Sequence, residues 1–103
     1  MHSQAVMMAH FELDRNACLE GFAIATNNFC LDFVSLLKGY VSWTQLAGRG
    51  TKRIDVITFE SMELLNYFEL AYAPEVNPAA KMYFSFIDLK TIDIQKYKEG
   101  ELY

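Results

Sequence analysis

Cysteine is nearly absent from this chain. Cys18 and Cys30 are the only two, too few for the disulfide framework of a small secreted fold, so reduced thiols in a cytoplasmic setting are expected. Histidine is equally scarce. With His2 and His10 alone, no zinc-ligand spacing occurs, and neither a metal nor a cofactor is expected. No apolar run approaches the ~18 residues of a membrane-spanning helix. The opening Met-His-Ser-Gln lacks the charged region of a secretory leader, so none is expected. Basic residues are in the minority, nine against thirteen acids for a net charge of −4. A general positive field for nucleic acid is therefore missing. No internal repeat or low-complexity stretch is present.

Aromatic rings are abundant instead: eight Phe, six Tyr and one Trp in 103 residues. Each ring hides roughly 150–250 Å² when buried, and a domain of this length removes only about two-thirds of its unfolded surface from water. Part of the aromatic surface is thus expected to serve a partner subunit, a ligand or another protein. Residues 1–103 read as one small domain.

The first half of the chain reads as helical. Met8, Phe11, Cys18, Phe22, Ala25 and Phe29 follow a spacing of three to four. A second helix, capped by Asn28, would carry Phe29, Phe33, Leu36, Tyr40, Trp43 and Ala47 and end at Gly48. Gly48–Thr51 is a turn, and the β-branched run Arg53–Thr58 a strand. Met62, Leu65, Phe68 and Tyr72 then form the apolar stripe of a third helix, stopped by Pro74. For residues 81–89 the signals conflict. Asn77-Pro78 favours a helix start, whereas Met82, Tyr83, Phe84, Phe86 and Ile87 favour a strand. A strand at Arg53–Thr58 needs a partner for its backbone groups, so residues 81–89 are assigned to that role. The last ten residues read as a short helix or tail.

The expected fold class is therefore α+β: two N-terminal helices, a strand-helix-strand unit and a short tail. Two strands make a marginal sheet, which pairing with a second copy would complete.

Charge is segregated along the chain. Phe33–Arg53 holds four basic residues and no acid, while Ile54–Ala80 holds five acids and no base. Arg49, Lys52 and Arg53 offer an anion contact at the Gly48–Thr51 turn. A phosphate loop, however, follows a strand and opens a helix, and this turn does the reverse. His10, Glu12 and Asp14 lie close in sequence but do not share one helical face. Cys18 and Cys30 read as buried, inert thiols. Asp55 stands out because it interrupts a β-branched run, although an exposed edge position or a pairing with Arg53 would account for it.

The rings with polar handles suit a half-buried contact surface. Phe33, Tyr40, Trp43, Tyr67, Phe68 and Tyr72 are the candidate interface or pocket residues. The leading expectation is a homodimeric interaction or regulatory module without chemistry. A binding protein for a small apolar or aromatic ligand, held in a pocket between helices and sheet, is the alternative. A small enzyme using His10 or Asp55 is a third reading.

Overall fold

The computed structural model describes residues 3–71 and 77–100. The chain begins with a strand where a helix was expected. In β1 (Ala5–Leu13), Ala5, Met7, Phe11 and Leu13 are buried while Val6, Met8 and Glu12 are half-buried and His10 is exposed. That period of two places the first set on one sheet face and the second on the other. The helical spacing through Met8 and Phe11 was a coincidence of a strand leading into a helix. It holds from Phe22 onward: α1 (Leu19–Asp32) buries Phe22, Ala25 and Phe29. Cys18 is its exposed N-cap, and Sγ accepts a hydrogen bond from the Gly21 amide at 3.4 Å.

The second expected helix is absent as well. A short 3₁₀ turn (Val34–Leu36) gives way to β2 (Tyr40–Ala47). Gly39, at φ +85°, makes the turn between them, and Tyr-Val-Ser-Trp-Thr are strand formers. The turn at residues 48–51 leads into β3 (Lys52–Phe59). Ser61, whose Oγ accepts from the Leu64 amide at 3.2 Å, starts α2 (Met62–Ala71), which buries Leu65 and Phe68. Residues 72–76, including Tyr72 and Pro74, lie outside the described residues.

The proline signal prevails at residues 77–84. Asn77 accepts from the Ala80 amide at 3.1 Å, and Pro78 opens α3 (Pro78–Phe84). Only beyond it does β4 (Ile87–Lys98) begin, so residues 81–84 of the segment assigned to a strand are helical, 87–89 alone are strand, and residues 94–98 of the expected tail are strand. The tie-breaking argument failed because β3 already has two partners. It pairs antiparallel with β1 (Met7 opposite Ile57) and with β2 (Trp43 opposite Ile57).

The sheet has four antiparallel strands in the order β2-β3-β1-β4. It is complete within one chain, which corrects the expectation of a two-stranded sheet completed across a dimer. The core, including Phe11, Phe22, Phe29, Phe59, Leu65, Phe68 and Tyr83, lies between one sheet face and the helices. Among the described residues, no helix is long and apolar enough to cross a membrane.

Candidate functional site

On β3 the residues that face the helices are Asp55, Ile57 and Phe59, all buried. At the first of these, where the alternation calls for an apolar side chain, stands a carboxylate only 4% exposed. β3 is an interior strand, so the expected edge position facing water does not exist. Arg53 is not its partner either, because Arg53 Nη1 donates to the carbonyls of Gly50 and Lys52 at 3.0 and 2.8 Å.

A buried carboxylate must be hydrogen-bonded to be tolerated. Two elements supply the partners. α3 places Tyr83 so that its hydroxyl donates to Asp55 Oδ2. On β2, Gln45 sits directly across from Asp55 in the register. Its Nε2 donates to Asp55 Oδ1 at 2.9 Å and approaches Tyr83 Oη at 3.4 Å. Trp43, two residues earlier on β2, has a buried Nε1–H with no hydrogen-bond partner among the described residues.

Around this polar cluster the walls are apolar. Met7, Phe11, Phe29, Trp43, Ile57, Phe68, Tyr83, Ile87 and Ile94 are among the residues that surround a partly enclosed cavity of about 50 Å³, with Asp55 in its lining. That is room for a few water molecules or a ligand group of a few heavy atoms. Tyr83 is the hub of the ring packing. It lies 5.1 Å from Phe29, 5.4 Å from Phe22 and 5.6 Å from Trp43, centroid to centroid.

Burial pushes the Asp55 carboxyl above the usual carboxylate range; the hydrogen bonds from Tyr83 and Gln45, and the nearby Trp43 indole N–H, work against that rise. Tyr83 is held well above the ordinary phenol range, first by burial and then by the charge of Asp55 and the hydrogen bond to it. A carboxylate displaced upward in an apolar cavity is a stronger base than one in water, because its charged form lacks full solvation.

The residues singled out from sequence separate into groups. Trp43 and Phe68 line the cavity. Phe33 stacks on Phe29 at 5.8 Å and Tyr40 packs edge-on against Phe59 at 6.1 Å, outside the cavity lining. Tyr67 is 61% exposed on α2, and Tyr72 lies outside the described residues. Lys52 and Arg53 border a separate surface cleft with His10 and Glu12, while Arg49 sits exposed in the β2–β3 turn. His10 is thus on the sheet face away from Asp55, opposite Ile54 and Asp93. Among the described residues, no three His, Cys, Asp or Glu side chains are grouped to hold a metal ion. Tyr83 and Gln45 were missed by sequence reasoning. The Asn77-Pro78 cap was the signal that could have placed Tyr83 on an inward helix face.

No family model matches this chain, and no curated protein matches it in sequence. In structure it is similar to SnoaB, a cofactor-independent oxygenase from Streptomyces nogalater, at a TM-score of 0.75 and 14% identity, over 97% of this chain and 96% of that one. It is also similar to a putative antibiotic biosynthesis monooxygenase from Caulobacter crescentus CB15 (TM-score 0.75, 9% identity, 97% and 92% covered). A third match is the hydroxynitrile lyase of Passiflora edulis (TM-score 0.71, 12% identity, 100% and 99% covered). These likenesses show a common ferredoxin-like α+β fold. They also overturn the expectation of a contact module without chemistry, and with it the view that the chain is not an enzyme. The fold is one in which an oxygenase and a lyase operate. Trp43 and Phe68, assigned to a contact or pocket surface, border a cavity that holds a buried carboxylate.

Proposed function

We propose that this protein is a small enzyme that binds a compact, mostly apolar molecule in the Asp55 cavity and removes a proton from it. The observation that carries the reading is the Asp55 carboxylate, buried among aromatic rings and held by Tyr83 and Gln45. Substrates of this class carry an acidic C–H beside a carbonyl, or a comparably acidic group, on a molecule of only a few heavy atoms. Asp55 takes the proton onto a carboxylate oxygen. The electron pair of the broken C–H bond moves into the carbonyl, leaving an enolate. The unpaired indole N–H of Trp43 is a donor for the oxygen on which that charge collects. The enolate can then be reprotonated, expel a leaving group or react further. That one structural neighbour is named an oxygenase and another a lyase supports an enzymatic role for a chain of this fold.

The test is hydrogen–deuterium exchange at the C3 methylene of 2-butanone in D₂O, followed by NMR. The wild-type protein accelerates exchange over buffer and Asp55→Asn does not. Equal rates with both proteins would refute the role of Asp55.

Assembly is part of the same reading. Val6, Met8, Ile54 and Val56 lie on the sheet face away from the helices, with Leu46 46% exposed beside them. A half-exposed apolar strip on a four-stranded sheet suits a protein contact, and a second copy of this chain is the proposed occupant. Light scattering should report a dimer at micromolar concentration. A monomer of 11.8 kDa would exclude it.

A further inference from the structure

Beside the Asp55 cavity lies a second opening that the proposed proton transfer does not use. It is a cleft of about 290 Å³ between α1 and the edge strand β2, lined by Ala23, Thr26, Asn27, Cys30, Trp43 and Gln45. Trp43 borders both spaces. Gln45 connects them chemically, because it lines the cleft while its Nε2 bonds Asp55 and faces Tyr83. Both donor hydrogens of that amide are therefore engaged on the inner side. The amide oxygen has no partner among the described residues, and it is not among the buried atoms left without a hydrogen bond, so it remains open to solvent or ligand. Unlike the inner cavity, this cleft has polar walls. Thr26 Oγ1 is occupied by the Phe22 carbonyl at 2.8 Å, which leaves the exposed Asn27 amide and Gln45 Oε1 as its free polar groups.

We infer that the α1–β2 cleft is a second subsite, and that Gln45 Oε1 reads a hydrogen-bond donor on the substrate there. The preferred substrate is then a small carbonyl compound in the inner cavity bearing a hydroxyl or N–H group that reaches past Trp43 into the cleft. This rests on the proposed acid–base reading of Asp55 and adds a specificity residue to it. Gln45 does not touch the reacting carbon. A donor on Oε1 fixes the amide plane, which keeps Nε2 on Asp55 and thereby positions the base. Lys or Arg could serve as readily for a substrate carboxylate, but the cleft lining holds no cation. An acceptor-bearing or anionic group is accordingly disfavoured against a donor.

The experiment compares 2-butanone with its 1-hydroxy and 4-hydroxy derivatives in a Cys18→Ser background, where Cys30 is the remaining thiol. Binding is read from Trp43 fluorescence, occupancy of the cleft from protection of Cys30 against iodoacetamide, and chemistry from deuterium exchange. At least one hydroxy isomer should bind about tenfold tighter than 2-butanone and protect Cys30, which 2-butanone should leave reactive. Gln45→Leu should bind neither hydroxy isomer more tightly than 2-butanone. Gln45→Glu, which keeps an acceptor oxygen, should restore the preference in part. Asp55→Asn should lose exchange yet keep the preference. A preference that survives in Gln45→Leu, or a tight hydroxy isomer that leaves Cys30 fully reactive, overturns the inference. Binding with the expected preference but without exchange overturns the catalytic reading alone. Failure of all three ketones to bind overturns both.

Discussion

Replacing Tyr83 with Phe isolates one hydrogen bond at the centre of the site. The phenylalanine ring keeps the contacts that Tyr83 makes with Phe11, Phe22, Phe29, Trp43 and Phe84, so only the hydroxyl is lost. What its loss costs depends on the charge of Asp55. With the carboxyl protonated, a neutral hydrogen bond disappears, worth about 0.5–1.5 kcal/mol; with the carboxylate ionised, the loss is about 1.5–3 kcal/mol. Asp55 is raised by burial in the wild type, and the Tyr83 bond is the largest effect opposing that rise, so the variant raises it further. A carboxyl whose pKa is higher in the folded than in the unfolded state contributes stability below its unfolded value and loses it as pH climbs through the folded value. Both proteins should therefore weaken as pH rises above the ordinary carboxylate range. The variant should go on weakening to higher pH, and the gap between the two should widen. With about 4–8 °C of melting temperature per kcal/mol in a chain of this length, the gap should grow from several degrees in acid to roughly 6–24 °C near neutrality. Thermal unfolding by circular dichroism between pH 4 and 8 measures it. A gap that stays constant across that range would refute the assignment of an ionised Asp55 to this hydrogen bond.

Other expectations follow from the same geometry. Asp55→Asn should flatten the pH dependence of stability and be at least as stable as the wild type at pH 8, since the amide has no charge to desolvate; a variant that weakens with pH in parallel with the wild type would contradict this. Gly39→Ala should destabilise by about 2 kcal/mol or more, combining a left-handed backbone with a collision: an added Cβ would meet Leu64 Cδ1 at 2.4 Å. Urea titration would show the midpoint fall, and an unchanged midpoint would argue against that turn. Lys96→Ala removes the exposed Lys96–Glu69 pair at 2.8 Å and should cost under about 1 kcal/mol. A larger loss in the same titration would give the tie between β4 and α2 more weight than its exposure allows.

Legibility in the sequence varied with how many physical signals agreed. β3 was visible because Ile54, Val56, Ile57 and Thr58 crowd β-branched side chains into six positions, and α2 because Met62, Leu65 and Phe68 keep one helical stripe. β1 was lost because Met8 and Phe11 also sit at helical spacing to each other, and two short alternating sets resemble one longer helical one. β2 was misread because Tyr40 and Trp43 are three apart, although Gly39 at positive φ ends any helix there. At the site, Asp55 was noticeable as a charge within a strand pattern. Its partners were not, since Gln45 and Tyr83 lie 10 and 28 residues away in sequence and meet Asp55 only through strand register and helix docking. The aromatic surplus was real in the composition, but most of it turned inward. Of the thirteen described rings, Tyr67 and Tyr97 alone are exposed.

The central position of β1 has a bearing on how the molecule assembles during synthesis. Its two hydrogen-bonding neighbours are β3, some 50 residues downstream, and β4, whose last paired residue is Lys98 opposite Ala5. On the ribosome, β1 emerges long before either of them and must wait with both edges bare. Such distant pairings slow the search for the native topology and leave a strand open to stray association meanwhile. Nascent chains halted before residue 87 should consequently be captured by holdase chaperones, and release should coincide with the emergence of β4.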